Sequence, residues 1–200
     1  MLILYYILPQ KRIDSAAFLS VLKQLPISKK RQIMQLKNKR ARLQSIIGLN
    51  LVKTGLQQLG QPNFHLKKLR FKNNKPYIRQ KNYFSISHSQ NCVCCAFSQN
   101  QPVGLDVEKI RSLGNSLIKK YQLSKKGVQP ITCWTQKEAV LKVYPQDNLN
   151  EIREIQLYAN TAKLKNRHYF IRSFKTEQHY TMSVATTQPI TKLKIKRVYF

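Results

Sequence analysis

The sequence predicts an α+β protein of two similar α/β halves, residues 1–100 and 101–200, each a small antiparallel sheet packed on a long helix. Two observations lead there. Stretches of period 2 and period 3.6 follow one another as strand, helices, strands, and then that order repeats, with the join near Gln101. The length, 200 residues, suits two small halves sharing one core and buries about 70% of the unfolded surface without staples. With 42% hydrophobic residues and no low-complexity tract, the chain is globular rather than disordered.

Met1–Leu8 is apolar but too short to span a membrane. It lacks a basic leader and a small-residue cleavage site, and Pro9 follows it, so it reads as a buried first strand. Ser15–Leu25 reads as a short helix with Ala16, Ala17, Leu19 and Leu22 apolar and Leu25-Pro26 as its stop. From Lys29, the positions Ile33, Leu36, Leu43, Ile46, Ile47 and Leu51 form one apolar stripe, which predicts a single long helix closed by Gly60 and Pro62. Residues 61–82 read as loop, with Phe64–Leu66 a short strand and Asn73-Asn74-Lys75-Pro76-Tyr77 a turn. A meander follows: strand Tyr83–Ser89, turn at Gln90-Asn91, strand Cys92–Ser98, turn through Pro102, strand Val103–Glu108. Leu113–Leu123 predicts a helix, broken at Lys125-Lys126-Gly127. Another helix runs from Cys133 to Tyr144, capped by Thr132 or Thr135 and ended by Pro145. Ile152–Leu157, Arg167–Phe174, His179–Thr186 and Lys192–Phe200 read as strands.

The chain carries 36 Lys and Arg against 8 Asp and Glu, a formal charge of +28. Such a field attracts polyanions: nucleic acid, an anionic membrane, or an acidic protein or cofactor. The bases are spread along the whole chain, which disfavours a nucleic-acid-binding tail. The run Lys29, Lys30, Arg31, Lys37, Lys39, Arg40, Arg42 is either a solvated helix face or a phosphate-binding one. Three of the four cysteines, Cys92, Cys94 and Cys95, fall in one apolar run and Cys133 stands apart; the spacing is not that of a zinc site. Buried, reduced thiols and a cytoplasmic location are expected.

With so few acids, their placement is informative. On the strand Val103–Glu108, Asp106 and Glu108 share one face while Val103, Leu105 and Val107 take the other. Two neighbouring carboxylates repel; they either pair with nearby lysines at an edge or share a hard cation, Mg²⁺ above all. On the helix from Cys133, Trp134, Glu138 and Lys142 stack at helical pitch. Glu138 and Lys142 form an exposed i,i+4 pair, and Thr135-x-x-Glu138 fits a capping box. The same two residues could instead work beside the strand carboxylates.

Three segments, taken in order, resemble the 4'-phosphopantetheinyl transferases of the larger, single-chain, pseudo-dimeric class. They are Phe84-Ser85-Ile86-Ser87-His88-Ser89, Val103-Gly104-Leu105-Asp106-Val107-Glu108, and Trp134-Thr135-Gln136-Lys137-Glu138-Ala139-Val140-Leu141-Lys142. Leu25-Pro26 with Lys29, and the run to Ser45 and Gly48, also look like the first helical region of that family. Lys75-Pro76-Tyr77 looks like its Gly-Lys-Pro-Tyr signature with Asn74 in the glycine position, a tolerable exchange at positive φ.

The resemblance implies a pseudo-twofold arrangement of the halves, with a coenzyme A side in residues 1–100 and the metal-binding carboxylates and catalytic helix in 101–200. It implies Mg²⁺-dependent transfer of phosphopantetheine from coenzyme A to a serine hydroxyl of an acyl or peptidyl carrier protein. By the same similarity Asp106, Glu108 and Glu138 hold the metal, Glu138 is the base, and Lys142 reaches the phosphates and assists the leaving group. Ser87 and His88 contact phosphate; Lys29, Ser45 and Lys75 clamp the 3'-phosphate and adenine side; Trp134 belongs to the core. The segment between Glu108 and Trp134 is shorter than in many relatives, and Lys125-Lys126-Gly127 stands where an acid is common. That departure bears on carrier docking. The expected partners are coenzyme A and an acidic carrier, met by a monomer with no membrane and no nucleic acid. A basic nucleic-acid-binding protein is the first rival, but it leaves Asp106, Glu108 and Glu138 without a task. An inactive binding module of the same fold is the second, and the intact carboxylates, His88 and Lys142 argue against it.

Overall fold

A computed structural model describes residues 2–8, 15–72, 75–78, 82–144 and 149–198. Along the chain come β1 (Leu2–Ile7), α1 (Ser15–Lys23), α2 (Ile27–Gln35), α3 (Lys39–Gln58), β2 (Arg70–Lys72), β3 (Lys75–Tyr77), β4 (Tyr83–Ser89), β5 (Cys92–Ser98) and β6 (Val103–Lys109). Then follow α4 (Asn115–Tyr121), α5 (Pro130–Val143), β7 (Gln156–Leu157), β8 (Thr161–Leu164), β9 (Arg167–Lys175), β10 (Tyr180–Thr186) and β11 (Leu193–Arg197). The α+β class is the one the sequence predicts, but the expectation of a purely antiparallel sheet in each half is corrected: β11, from the second half, joins the first sheet and pairs with β1 in parallel.

One sheet has the order β11-β1-β5-β4 and a second the order β6-β10-β9-β8-β7, with β2 and β3 a separate hairpin. The apolar runs explain the layering. In β1, Ile3, Tyr5 and Ile7 face the helices α1–α3, while Leu2 and Leu4 face the second sheet. In β5, Val93, Cys95 and Phe97 take the helical side and Cys92, Cys94 and Ala96 the other. Strands buried on both faces have no polar side to offer, which is why these two read as continuous apolar runs. Val103, Leu105, Val107, Met182 and Val184 complete the core between the sheets. The outer face of the second sheet is covered by α5, through Ala139, Val140, Leu141 and Val143 against Ala162, Leu164, Tyr169 and Ile171. All four cysteines are buried and free.

Two close approaches hold helices on sheets. A Cβ on Gly55 in α3 would lie 2.2 Å from the ring of Phe97, and a Cβ on Gly104 in β6 would lie 1.9 Å from the carbonyl oxygen of Ala139 in α5. Side chains are excluded from both points, so α3 and α5 sit directly on their strands.

Several local expectations are corrected. The single helix from Lys29 is two helices, because Asn38 caps α3: its Oδ1 accepts from the N–H groups of Arg40 (2.8 Å) and Ala41 (3.4 Å). Leu36 turns extended there, and its carbonyl accepts from Arg42 Nε at 2.7 Å. Phe64–Leu66 is not a strand; Leu66–Lys68 form a 3₁₀ turn. Lys75–Tyr77 is a strand paired with Arg70–Lys72, not a turn. In Ile152–Leu157 only Gln156–Leu157 is extended, after a 3₁₀ turn Leu149–Arg153. β8 has no counterpart among the expected strands. α5 begins at Pro130, whose fixed φ suits a first helical position, so neither Thr132 nor Thr135 caps it. The expectations for Pro9, Asn73, Asn74 and Pro145 fall outside the described residues. Gly104→Ala should push α5 off β6 and cost about 3 kcal/mol of stability; urea denaturation of the variant checks this, and a loss no larger than that of a surface substitution would contradict it.

Candidate active site

Strand alternation delivers the site. On β6, Leu105 and Val107 point to the core between the sheets, so Gly104, Asp106 and Glu108 point to α5. Glu138 and Lys142 lie one turn apart on α5. Lys142 Nζ lies 2.6 Å from Asp106 Oδ1 and donates to Ser87 Oγ at 3.1 Å. Burial opposes the Lys142 charge, but the Asp106 carboxylate and its hydrogen bond outweigh that, with help from Glu138, and the amine is held above its usual range. An ammonium has three donors; among the described residues two are used.

The three predicted metal ligands come near one another without forming a cage. Burial pushes the carboxyls of Glu108 and Glu138 up. Asp106 adds to both shifts and Glu108 to that of Glu138, while Lys142 opposes them. Among the described residues, no group of three His, Cys, Asp or Glu side chains is gathered tightly enough to hold a metal ion. The donor chemistry nevertheless fits a hard cation. Asp106 is 5% exposed, and its Oδ2 has no hydrogen-bond partner among the described residues. A buried carboxylate oxygen left unsatisfied is unfavourable unless a cation or water reaches it.

The predicted coenzyme A residues share a place. Lys29, Ser45, Lys75 and His88 line one cleft of about 200 Å³, together with Gln44, Gly48, Phe71 and Ile86. Lys75 also lines a smaller adjoining cleft with Phe84, Ile86 and Lys142, so the two lead from α3 to α5 along β4. Lys29 lies over the Phe71 ring, 4.8 Å from its centroid, and donates to Gln32 Oε1 at 2.9 Å. Its pKa is lowered by burial. Ser45 gives its proton to the Ala41 carbonyl at 2.9 Å, so meeting an anion requires rotation about one bond. Burial of the His88 ring lowers its pKa, and the Lys142 charge lowers it further. Ser87 departs from the others: it is 5% exposed and donates to Asp106 Oδ1 at 2.8 Å. A larger cleft of about 290 Å³, near Ser98–Gln101 and Thr186–Lys192, holds none of the predicted residues.

Other contributors take roles that the sequence did not announce, Trp134 excepted. Thr135 donates to the Thr132 carbonyl (2.9 Å) and so accepts from Ser183 (2.8 Å). Ser183 then accepts from Ser173 (2.9 Å), and Ser173 from Gln136 Nε2 (3.0 Å). One proton per hydroxyl gives this chain a single direction, and it fixes the rotation of α5 on β9 and β10. Lys137 is 2% exposed and donates to the carbonyls of Tyr121 (2.9 Å) and Ile152 (3.2 Å), tying α4 and the following 3₁₀ turn to α5. Trp134 packs edge-on against Tyr121, with ring centroids 5.1 Å apart, as expected of a core residue.

No protein-family model matches the chain. A stretch of 70 residues, 34% of the chain, is 37% identical to the 4'-phosphopantetheinyl transferase Gsp of Aneurinibacillus migulanus. The matched stretch covers 29% of that protein's length. The likeness is confined to about a third of each protein.

The upward shifts of Glu108 and Glu138 have a stability consequence. Their folded-state pKa values lie above the ordinary 4.5, so the stability they contribute is full below that value and is lost as pH rises through the raised ones. In EDTA, Glu138→Gln should therefore resist urea better than the parent at neutral pH and lose the advantage in acid below 4.5. A variant less stable than the parent at neutral pH would contradict this.

Proposed function

We propose that the chain transfers 4'-phosphopantetheine from coenzyme A to a serine hydroxyl of an apo acyl or peptidyl carrier protein, in a Mg²⁺-dependent reaction. The observation that carries the reading is the joining of a basic cleft (Lys29, Lys75, His88) to three mutually repelling carboxylates through Lys142. The partial likeness to Gsp supports the same class of chemistry.

The serine oxygen of the carrier forms a bond to the β-phosphorus of coenzyme A as the bridging P–O bond breaks, and adenosine 3',5'-bisphosphate leaves. Lys29, Ser45 and Lys75 hold the nucleotide end and His88 the pyrophosphate. Asp106, Glu108 and Glu138 would hold Mg²⁺, which when bound neutralises charge on the phosphoryl oxygens. Glu138 takes the serine proton, directly or through water. Lys142 keeps its third N–H for the leaving phosphate. The pseudo-twofold pairing of halves near Gln101 belongs to the same reading: α3 packs on the first sheet and α5 on the second. So do a monomeric state and a cytoplasmic setting. Among the described residues, no helix is long and apolar enough to cross a membrane. An acidic carrier suits a +28 chain, because opposite charge raises encounter rate. Leu117, 41% exposed on α4 with Lys120 three residues on along the same side, offers such a partner an apolar contact next to a base.

Incubation with Mg²⁺, coenzyme A and a panel of apo carriers should yield a phosphopantetheine adduct by mass. No adduct on any carrier, alongside tight salt-sensitive RNA binding, would favour the nucleic-acid reading instead. Glu138→Gln should lower turnover at least about 100-fold with the fold retained; unchanged turnover would remove Glu138 from the mechanism.

A further inference from the structure

The two sheets meet where β4 runs beside β6, and the contacts across that seam include serine side chains. Ser85 Oγ accepts from the Leu105 N–H (3.1 Å). Ser87 Oγ donates to Asp106 Oδ1 (2.8 Å). Ser89 Oγ donates to Glu108 Oε2 (2.6 Å) and accepts from the Lys109 N–H (3.3 Å). Serines at i, i+2 and i+4 share one side of a strand, so a single period-2 pattern supplies all these bonds.

Proton counting gives Ser87 and Ser89 a task. A hydroxyl has one proton. That of Ser87 goes to Asp106, and its oxygen accepts from Lys142. Asp106 Oδ1 therefore takes two donors, while the buried Oδ2 has no hydrogen-bond partner among the described residues. The carboxylate is thus held with one oxygen committed and the other available. Ser89 holds Glu108 by one oxygen in the same way.

We propose that Ser87 and Ser89 are positioning residues for a divalent-cation site, each pinning one oxygen of a carboxylate on the adjoining strand and leaving the other to the cation. The inference rests on the reading of Asp106 and Glu108 as metal ligands. It differs from the sequence expectation in assigning Ser87 to a carboxylate rather than to a phosphate of coenzyme A. Partners that orient ligating carboxylates and imidazoles typically change metal affinity by about 10- to 100-fold when removed. Ser85, which meets a backbone N–H and no carboxylate at the seam, is the internal comparison.

The test uses the full chain with Mn²⁺ alone as the probe, free Mn²⁺ being followed by electron paramagnetic resonance without coenzyme A. Coenzyme A binding is measured separately by calorimetry in EDTA. Ser87→Ala and Ser89→Ala should each weaken Mn²⁺ binding about 10-fold or more and leave coenzyme A binding in EDTA unchanged. Ser85→Ala should lower the thermal midpoint and keep the parent's Mn²⁺ affinity. Unchanged Mn²⁺ binding in Ser89→Ala overturns the proposal, as does a parent chain that binds no Mn²⁺. Ser87→Ala with intact Mn²⁺ binding but weakened coenzyme A binding returns Ser87 to a phosphate role and also overturns it. If Ser87→Ala fails to fold, half-buried Ser89 decides alone. A failed adduct assay with the Mn²⁺ results as expected would sink the transferase reading and leave the positioning role standing.

Discussion

The close approach of α5 to β6 at Gly104 is the constraint on which the site depends. Because the Ala139 carbonyl occupies the space a Cβ would take, α5 lies against the strand, not one side-chain layer above it. Lys142 can then bond Asp106 directly, and Glu138 comes within electrostatic reach of both strand carboxylates. The directional chain from Gln136 to Thr132 sets the rotation of the helix once that distance is fixed. A helix turned by one residue would carry Glu138 roughly 100° away from β6. Distance and rotation therefore have separate origins: an absent side chain for one, a hydrogen-bonded series for the other.

Much of this was legible because strand alternation is rigid. The division of β6 into a core side and an acid side follows from period 2 alone, and the structure keeps it. The apolar runs of β1 and β5 likewise announced buried strands, and the structure covers both on two faces. What was not legible depended on partners remote in sequence. Thr135 looked like a cap because Glu138 stands three residues on, but its hydroxyl meets Ser183 on β10. Asn38 splits the long helix through bonds to its own neighbours, a local signal outweighed by the apolar stripe that continues across it. Ser87 looked like a phosphate contact from its motif, and only the seam with β6 shows where its proton goes.

Charge shapes the molecule as well as its encounters. Of the 8 acidic residues, Asp106, Glu108 and Glu138 are gathered at α5 and β6, against a background of 36 bases. The bases that line the cleft, Lys29 and Lys75, would attract a phosphate-bearing ligand, whereas the three carboxylates would need a cation to relieve their repulsion. The repulsion among the carboxylates is only partly neutralised by the Lys142–Asp106 pair.

The pairing of β1 with β11 has a consequence for how the chain reaches this state. β1 is an inner strand of the first sheet, yet one of its neighbours is built from residues 193–197, in parallel register from Leu2↔Leu193 to Tyr6↔Arg197. During synthesis β1 can be flanked by β5 as soon as the first hundred residues are out, but its other edge stays open until residues 193–197 have been made. An apolar strand with one unpaired side is a template for a second copy of itself. The lysines at 192, 194 and 196 then act as more than solubilising charges. Once β11 docks, they turn the outermost edge of the finished sheet into one that repels further addition, so the last strand both closes the sheet and ends its growth.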